Sequence, residues 1–294
     1  MLLSNFRKID PFSSLRLLLL AILCIIGVYF IADETVSNVV VFAVALVAFG
    51  SLCWTLYTDR WAHKGTQFRF LVFVLLLFPF AAEFTAYKLI VGGMILETNG
   101  QFAEYFRRRR NPTWILHMGT LSALGWLIFP EGGFYIALGS LVSLLFIGGL
   151  NLRSIVQFLL SFLLPISLPL FFSSAEESIY FSMPELVRLP TEWWILPAVI
   201  FGLTFHQFTV SYRLANNLNK LRALLALTWI LLGSSLAMFV GGEGGFVLLI
   251  LGLSYQGANA LYYYRRKVLV EFGFLVLLAF SLAYSFNLLE ALWL

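Results

Sequence analysis

Apolar runs long enough to cross a bilayer follow one another along nearly the whole chain, parted by short polar stretches. They extend from about Leu17 to Ala32, Val36 to Tyr57, Trp114 to Phe129, Phe134 to Leu150, Ser154 to Phe172, Trp193 to Tyr212, Ala223 to Val240, Phe246 to Tyr262 and Val268 to Leu288. At 1.5 Å per residue, a helix crosses a hydrocarbon core of roughly 30 Å in about 20 residues. No run alternates with period two, so an outer-membrane barrel is excluded. The pattern predicts an all-α polytopic transmembrane helix bundle, a single integral membrane domain over residues 1–294. These boundaries leave Thr58 to Arg69 and residues 213–222 in polar loops.

The stretch from Phe70 to Glu97 reads either as one long helix or as a tight hairpin of two short spans broken at Pro79 and Glu83. Lys and Arg accumulate in cytoplasmic loops, and that rule selects the hairpin. With it, every Lys and Arg falls on the side of the N-terminus except Lys88 and Arg188. With a single span, Arg107 to Arg110 and alternate later loops face outward. The hairpin gives about eleven spans, with the N-terminus cytoplasmic and the C-terminus outside. Acidic residues segregate the other way: Asp33, Glu34, Glu83, Glu131, Glu176, Glu177, Glu185, Glu192, Glu243 and Glu290 fall at the outer side or its edge. Arg7, Lys8 and Arg16 precede the first run, and no small-residue cleavage site follows Ala32, so this segment reads as an uncleaved signal anchor.

Composition agrees with the pattern. The chain is 61% hydrophobic and 12% charged, with mean hydropathy +0.90, against about 25% charged residues in soluble domains. The net charge of +4 follows from topology and calls for no nucleic-acid partner. Cys24 and Cys53 lie inside the first two runs, form no CxxC and read as small packing residues. His63, His117 and His206 are not spaced as ligand pairs, so no metal and no redox cofactor is expected. Nucleotide-binding glycine motifs and a G-x-S-x-G nucleophile elbow are absent from the sequence.

An ionisable side chain at membrane depth is costly and therefore a functional candidate. Lys88 lies about one turn inside its run, where its stem can snorkel towards Glu83. His206, followed by Gln207, suits either a proton relay or one interhelical hydrogen bond, and His117 carries the same pair of readings. Glu271 follows Arg265-Arg266-Lys267 by one turn, as in a helix-end ion pair. Phe102, Tyr105 and Phe106 share one face of a helix just ahead of Arg107, Arg108, Arg109 and Arg110. An aromatic face beside a basic cluster suits a segment lying flat among lipid headgroups, and guanidinium groups grip phosphate bidentately. These four arginines are candidate lipid-phosphate residues, or else a topology anchor in bulk lipid.

Two further features stand out. The outer segment Ser173 to Thr191, ending at Trp193-Trp194, interleaves apolar and charged residues as a lid or a plain connecting loop would. Glu131-Gly132-Gly133-Phe134 recurs as Glu243-Gly244-Gly245-Phe246, each 22 residues ahead of Arg153 and Arg265. The echo reads as a parallel transporter repeat, or as two similar turns exploiting the positive φ open to glycine.

Phe6, Lys8 and Pro11, then Gly119, Leu127-Ile128-Phe129-Pro130, Asn151-Leu152-Arg153 and Leu163-Leu164-Pro165, carry a resemblance over nearly the full length. The chain resembles a family of multi-spanning membrane proteins of Bacteroidota-type bacteria, defined as a domain of unknown function. It departs at Leu116-His117-Met118-Gly119, where a Phe-Asp-Ala-Gly-like approach is expected, and at Ser161, where glycine is expected. The resemblance implies a location in the bacterial inner (plasma) membrane and no site residues.

Three functions fit this pattern. One is a component of cell-envelope lipid-linked glycan or lipid handling, with membrane lipids as partners. The second is a non-catalytic scaffold or subunit packed against other membrane proteins. The third is a secondary transporter, resting on the repeated Glu-Gly-Gly-Phe. The topology is directly testable: a reporter fused after Leu294 is expected to read outside, and a cytoplasmic signal there removes one span and the hairpin with it.

Overall fold

The computed structural model describes residues 68–77, 86–109, 111–128, 130–148, 151–172, 195–214, 217–239, 243–263 and 267–285, together with Leu19. The expected first two spans, Cys24, Cys53, His63, the Pro79–Glu83 break, Arg110 and the Ser173–Thr191 segment lie outside the described residues. The described chain is helical throughout and contains no strand. In order, the helices are α1 (Phe68–Leu77), α2 (Ala86–Arg109), α3 (Thr113–Ile128), α4 (Pro130–Ser143), α5 (Leu152–Phe172), α6 (Ile195–Leu214), α7 (Asn217–Phe239), α8 (Glu243–Tyr263) and α9 (Lys267–Ser285). A π-helical turn, Leu144–Gly148, extends α4. Two segments, Lys220–Met238 in α7 and Gly245–Tyr263 in α8, are long and apolar enough to cross a membrane.

The helix ends have local causes. Asn111 caps α3, its Oδ1 accepting from the Thr113 amide at 3.1 Å and the Thr113 hydroxyl at 2.9 Å. Asn151 does the same for α5, accepting from the Arg153 amide at 3.0 Å, so the Asn151-Leu152-Arg153 triplet is a capping sequence. Pro130 opens α4, where its missing N–H has no partner to lose.

Two compact units divide the chain. One, the α3–α5 unit, holds Lys88–Leu189 and Leu227–Leu249; the other, the α1–α9 unit, holds Met1–Tyr87, Pro190–Ala226 and Ile250–Leu294. Within the first, α3 packs most extensively on α5 and then on α4. Gly119 of α3 faces the Phe158 carbonyl, which a Cβ would approach to 2.6 Å, and the Ser161 hydroxyl. Trp126 meets Phe162 edge-on at 5.8 Å below them. In the α1–α9 unit, α1 packs against α9, and Ile200, Thr204 and Phe208 form the buried stripe of α6 at helical spacing.

The Glu-Gly-Gly-Phe echo has a structural cause that differs from the expected turn. Both copies lie in the first turn of a helix, α4 and α8, with no positive φ at Gly133 or Gly245. Each second glycine instead faces the backbone of the preceding helix. A Cβ on Gly133 would strike Trp126, and one on Gly245 would lie 2.8 Å from the Ala237 amide nitrogen. Further along, a Cβ on Gly233 would lie 2.6 Å from the Gly245 carbonyl and 2.5 Å from the Leu249 nitrogen. The motif is what two antiparallel helices need to close a hairpin at backbone distance.

Gly245→Ala is expected to lower stability by about 1–3 kcal/mol, the ordinary cost of overpacking. Gly202, with nothing within 4 Å of a Cβ, is the control: Gly202→Ala is expected to be neutral or to stabilise by about 0.5–1 kcal/mol. Thermal unfolding in one detergent distinguishes the two.

Candidate functional site

Polar side chains buried in so apolar a chain are the places to look for function, because each needs a partner. The α3–α5 unit contains one group of them. Asn99 is fully buried in α2, and its Nδ2 donates to the Ser122 hydroxyl of α3 at 2.8 Å and to the Ser140 hydroxyl of α4. Ser122 and Ser140 pass their own protons back to the Met118 and Ile136 carbonyls at 2.8 and 2.7 Å. One carboxamide thus ties three helices together. Gly92, Gly125 and Gly139 stand along the same contacts, where a Cβ would meet Ile136, Ile95 and Leu96. Glu97 is buried one residue pair earlier. The Asn99 nitrogen is committed to holding helices, while its Oδ1 is buried with no hydrogen-bond partner among the described residues.

The α1–α9 unit contains the other group. Arg69, only 2% exposed, lies over the Tyr255 ring at 5.8 Å, in the range of a cation–π contact. Val72, one turn on, lies against Gly257, so α1 meets α8 on both sides of residue 256 in sequence. Gln256 is 1% exposed, and among the described residues neither its Nε2 nor its Oε1 has a hydrogen-bond partner. At 100° per residue Tyr255, Asn259 and Gln256 fall within one third of the helix circumference. Asn259 is buried as well. Arg222 of α7 is buried too, at 6% exposed. Each unsatisfied end of a buried amide costs about 1–3 kcal/mol.

Loop boundaries placed Arg69 and Arg222 outside the apolar runs. In the structure both lie inside helices, at the second residue of α1 and the sixth of α7, and both are buried. The reason is packing: helices continue past the last apolar residue when a neighbouring helix supplies polar company. Beyond Glu97, where the ambiguous stretch ends, α2 runs on through Asn99 and Gly100 to Arg109.

The residues singled out from the sequence are distributed as follows. Lys88 lies in α2 and Gln207 in α6. His206 is exposed on α6, and its carbonyl accepts from the Thr209 hydroxyl at 2.7 Å. Arg107 is exposed near the end of α2, Arg108 and Arg109 complete that helix, and Arg110 lies beyond the described residues. Phe102 packs on Trp114 at 5.2 Å and on His117 at 5.8 Å. The segment before the arginines is thus a continuation of α2 docked on α3 rather than a separate helix lying flat. Lys88 and Arg107 to Arg110 belong to one unit, His206 and Gln207 to the other. Among the described residues no three His, Cys, Asp or Glu gather as metal ligands. No family model, curated protein or solved structure matches the chain.

The Gln256 environment makes an unusual expectation. Gln256→Leu removes two unsatisfied polar groups at similar volume, so in delipidated detergent it is expected to leave stability unchanged or raise it by about 1 kcal/mol. A loss of 2 kcal/mol or more in reversible unfolding would mean that the amide is paired in the fold.

Proposed function

We propose that the chain is a multi-pass inner-membrane protein of about eleven spans, with its N-terminus cytoplasmic, that handles a lipid-linked or other membrane-embedded anionic substrate. Cell-envelope lipid or lipid-linked glycan handling is the process this describes, and the resemblance to the Bacteroidota-type membrane family points to the same location. The observation that carries the functional part is the burial of two arginines, Arg69, which lies over the Tyr255 ring, and Arg222. Charge inside an apolar bundle is costly and, where it occurs, generally serves a substrate or ion pathway. Arginine is the residue suited to phosphate and carboxylate, through its planar fork of donors.

The outer surfaces support the membrane part. Leu152, Val156, Leu159, Leu160, Leu163 and Leu164 of α5 are exposed, as are Leu203 and Phe205 of α6 and Val268 and Phe272 of α9. Such apolar faces suit lipid. The scaffold reading draws on Asn99, whose hydrogen bonds are spent on neighbouring helices. The transporter reading loses its motif, because the repeated Glu-Gly-Gly-Phe is accounted for by hairpin closure.

Purification in mild detergent followed by lipid mass spectrometry tests the proposal. A phosphate-bearing lipid is expected to co-purify well above its share of the bulk membrane. Bound lipid that merely mirrors the bulk composition would contradict substrate handling and leave the scaffold.

A further inference from the structure

One face of α5 is basic at its first turn and apolar for the three turns that follow. Leu152, Val156, Leu159, Leu160, Leu163 and Leu164 are exposed, and at 100° per residue they and Arg153 fall within about 140° of the helix circumference. Arg153 is exposed too. Its amide serves the Asn151 cap, while its guanidinium has no hydrogen bond or ion pair among the described residues. The rise from Arg153 to Leu163 is about 15 Å, half of a hydrocarbon core of roughly 30 Å and so the depth of one leaflet.

A second arginine stands at the same end of this unit. Gly119 of α3 faces Phe158 and Ser161, and Trp126 meets Phe162. The two helices therefore run in the same direction, and their caps, Asn111 and Asn151, lie at one end. Asn99 meets Ser122, and Phe102 meets Trp114 and His117. So α2 runs the opposite way and reaches that end with Arg107, which is exposed. Trp114, half-buried there, suits the headgroup belt. An apolar face one leaflet deep, with arginine at its rim, fits acyl chains beneath an anionic headgroup. A second copy docked on the same face about a two-fold axis would set Arg153 against Arg153.

We propose that this face of α5 binds an anionic diacyl phospholipid, its acyl chains along the exposed leucines and its phosphate on Arg153. Arg107 adds to the attraction from the same rim. By the charge rule this rim is cytoplasmic, facing the leaflet in which anionic lipid sets the surface potential. The proposal rests on the membrane reading of the chain and is independent of Arg69 and Arg222.

The test reconstitutes the full chain in phosphatidylcholine nanodiscs containing a minority of phosphatidylglycerol. Native mass spectrometry reads the ratio of the two lipids retained on the protein. The parent is expected to retain phosphatidylglycerol in excess of its share of the disc. Arg153→Gln is expected to lower that excess about fivefold, the contribution of one arginine near an anionic surface, and Arg107→Gln to lower it less. Arg213→Gln, at an exposed position on α6 in the other unit, is expected to leave it unchanged. Lipids retained by the parent in the disc's own proportion would overturn the site, as would an equal fall in Arg213→Gln. A lipid-free dimer that Leu160→Asp dissociates would put a second copy on this face and overturn it as well. If neither Arg153→Gln nor Arg107→Gln reduces the excess, lipid handling stands and this surface falls. If the parent does not enter nanodiscs at all, the membrane reading falls with it.

Discussion

Hydrocarbon is as good a solvent for leucine as another helix is, so apolar burial cannot by itself tell an apolar chain which of its helices belong together. For a sequence of mean hydropathy +0.90, the discriminating contacts are the ones lipid cannot imitate. These are backbones brought within reach of each other at small residues, and polar groups that find partners only on a neighbouring helix. The α7–α8 hairpin closes through Gly233 and Gly245, and α3 approaches α4 and α5 through Gly133 and Gly119. The Asn99 carboxamide then joins α2, α3 and α4 through two serine hydroxyls. Remove these contacts and the remaining leucines and phenylalanines fit many arrangements equally well.

The same constraint makes buried polar groups the distinguishing feature of each unit. In the α3–α5 unit the Asn99 amide nitrogen is doubly used, and the serines it meets return their protons to their own helices. In the α1–α9 unit Gln256 is buried with neither amide atom hydrogen-bonded among the described residues, next in sequence to the Tyr255 whose ring Arg69 covers. The Asn99 nitrogen fixes geometry through the two bonds it donates, while its Oδ1, like both amide atoms of Gln256, is buried without a partner among the described residues.

Helix identity was readable from hydrophobic length alone: α3, α5, α6 and α9 begin within about two residues of the expected runs. Their caps were also present in the sequence, as Asn111 and Asn151. The polar interior was harder to read. Asn99-Gly100 looks like a turn, because that dipeptide usually is one, yet it sits inside α2 where two serines from distant segments meet it. Arg69 and Arg222 look like loop charges because hydropathy ends a run at the first arginine. Only the tertiary neighbour reveals that the helix continues and the charge is buried. One signal was available: Tyr255, Gln256 and Asn259 break the apolar pattern of α8 on a single face. The Glu-Gly-Gly-Phe echo was visible too, but its meaning lay in the helix opposite rather than in the turn.

Interhelical contacts specify the fold, and a double-mutant cycle on Asn99→Leu and Ser140→Ala measures one of them. Unfolding free energies of the parent, both single variants and the double variant, in the same bicelles, yield the coupling between α2 and α4. A coupling of about 0.5–1.5 kcal/mol is expected, the range of hydrogen bonds between membrane helices. Strict additivity would mean that the two side chains do not meet, and would contradict the packing on which the rest depends.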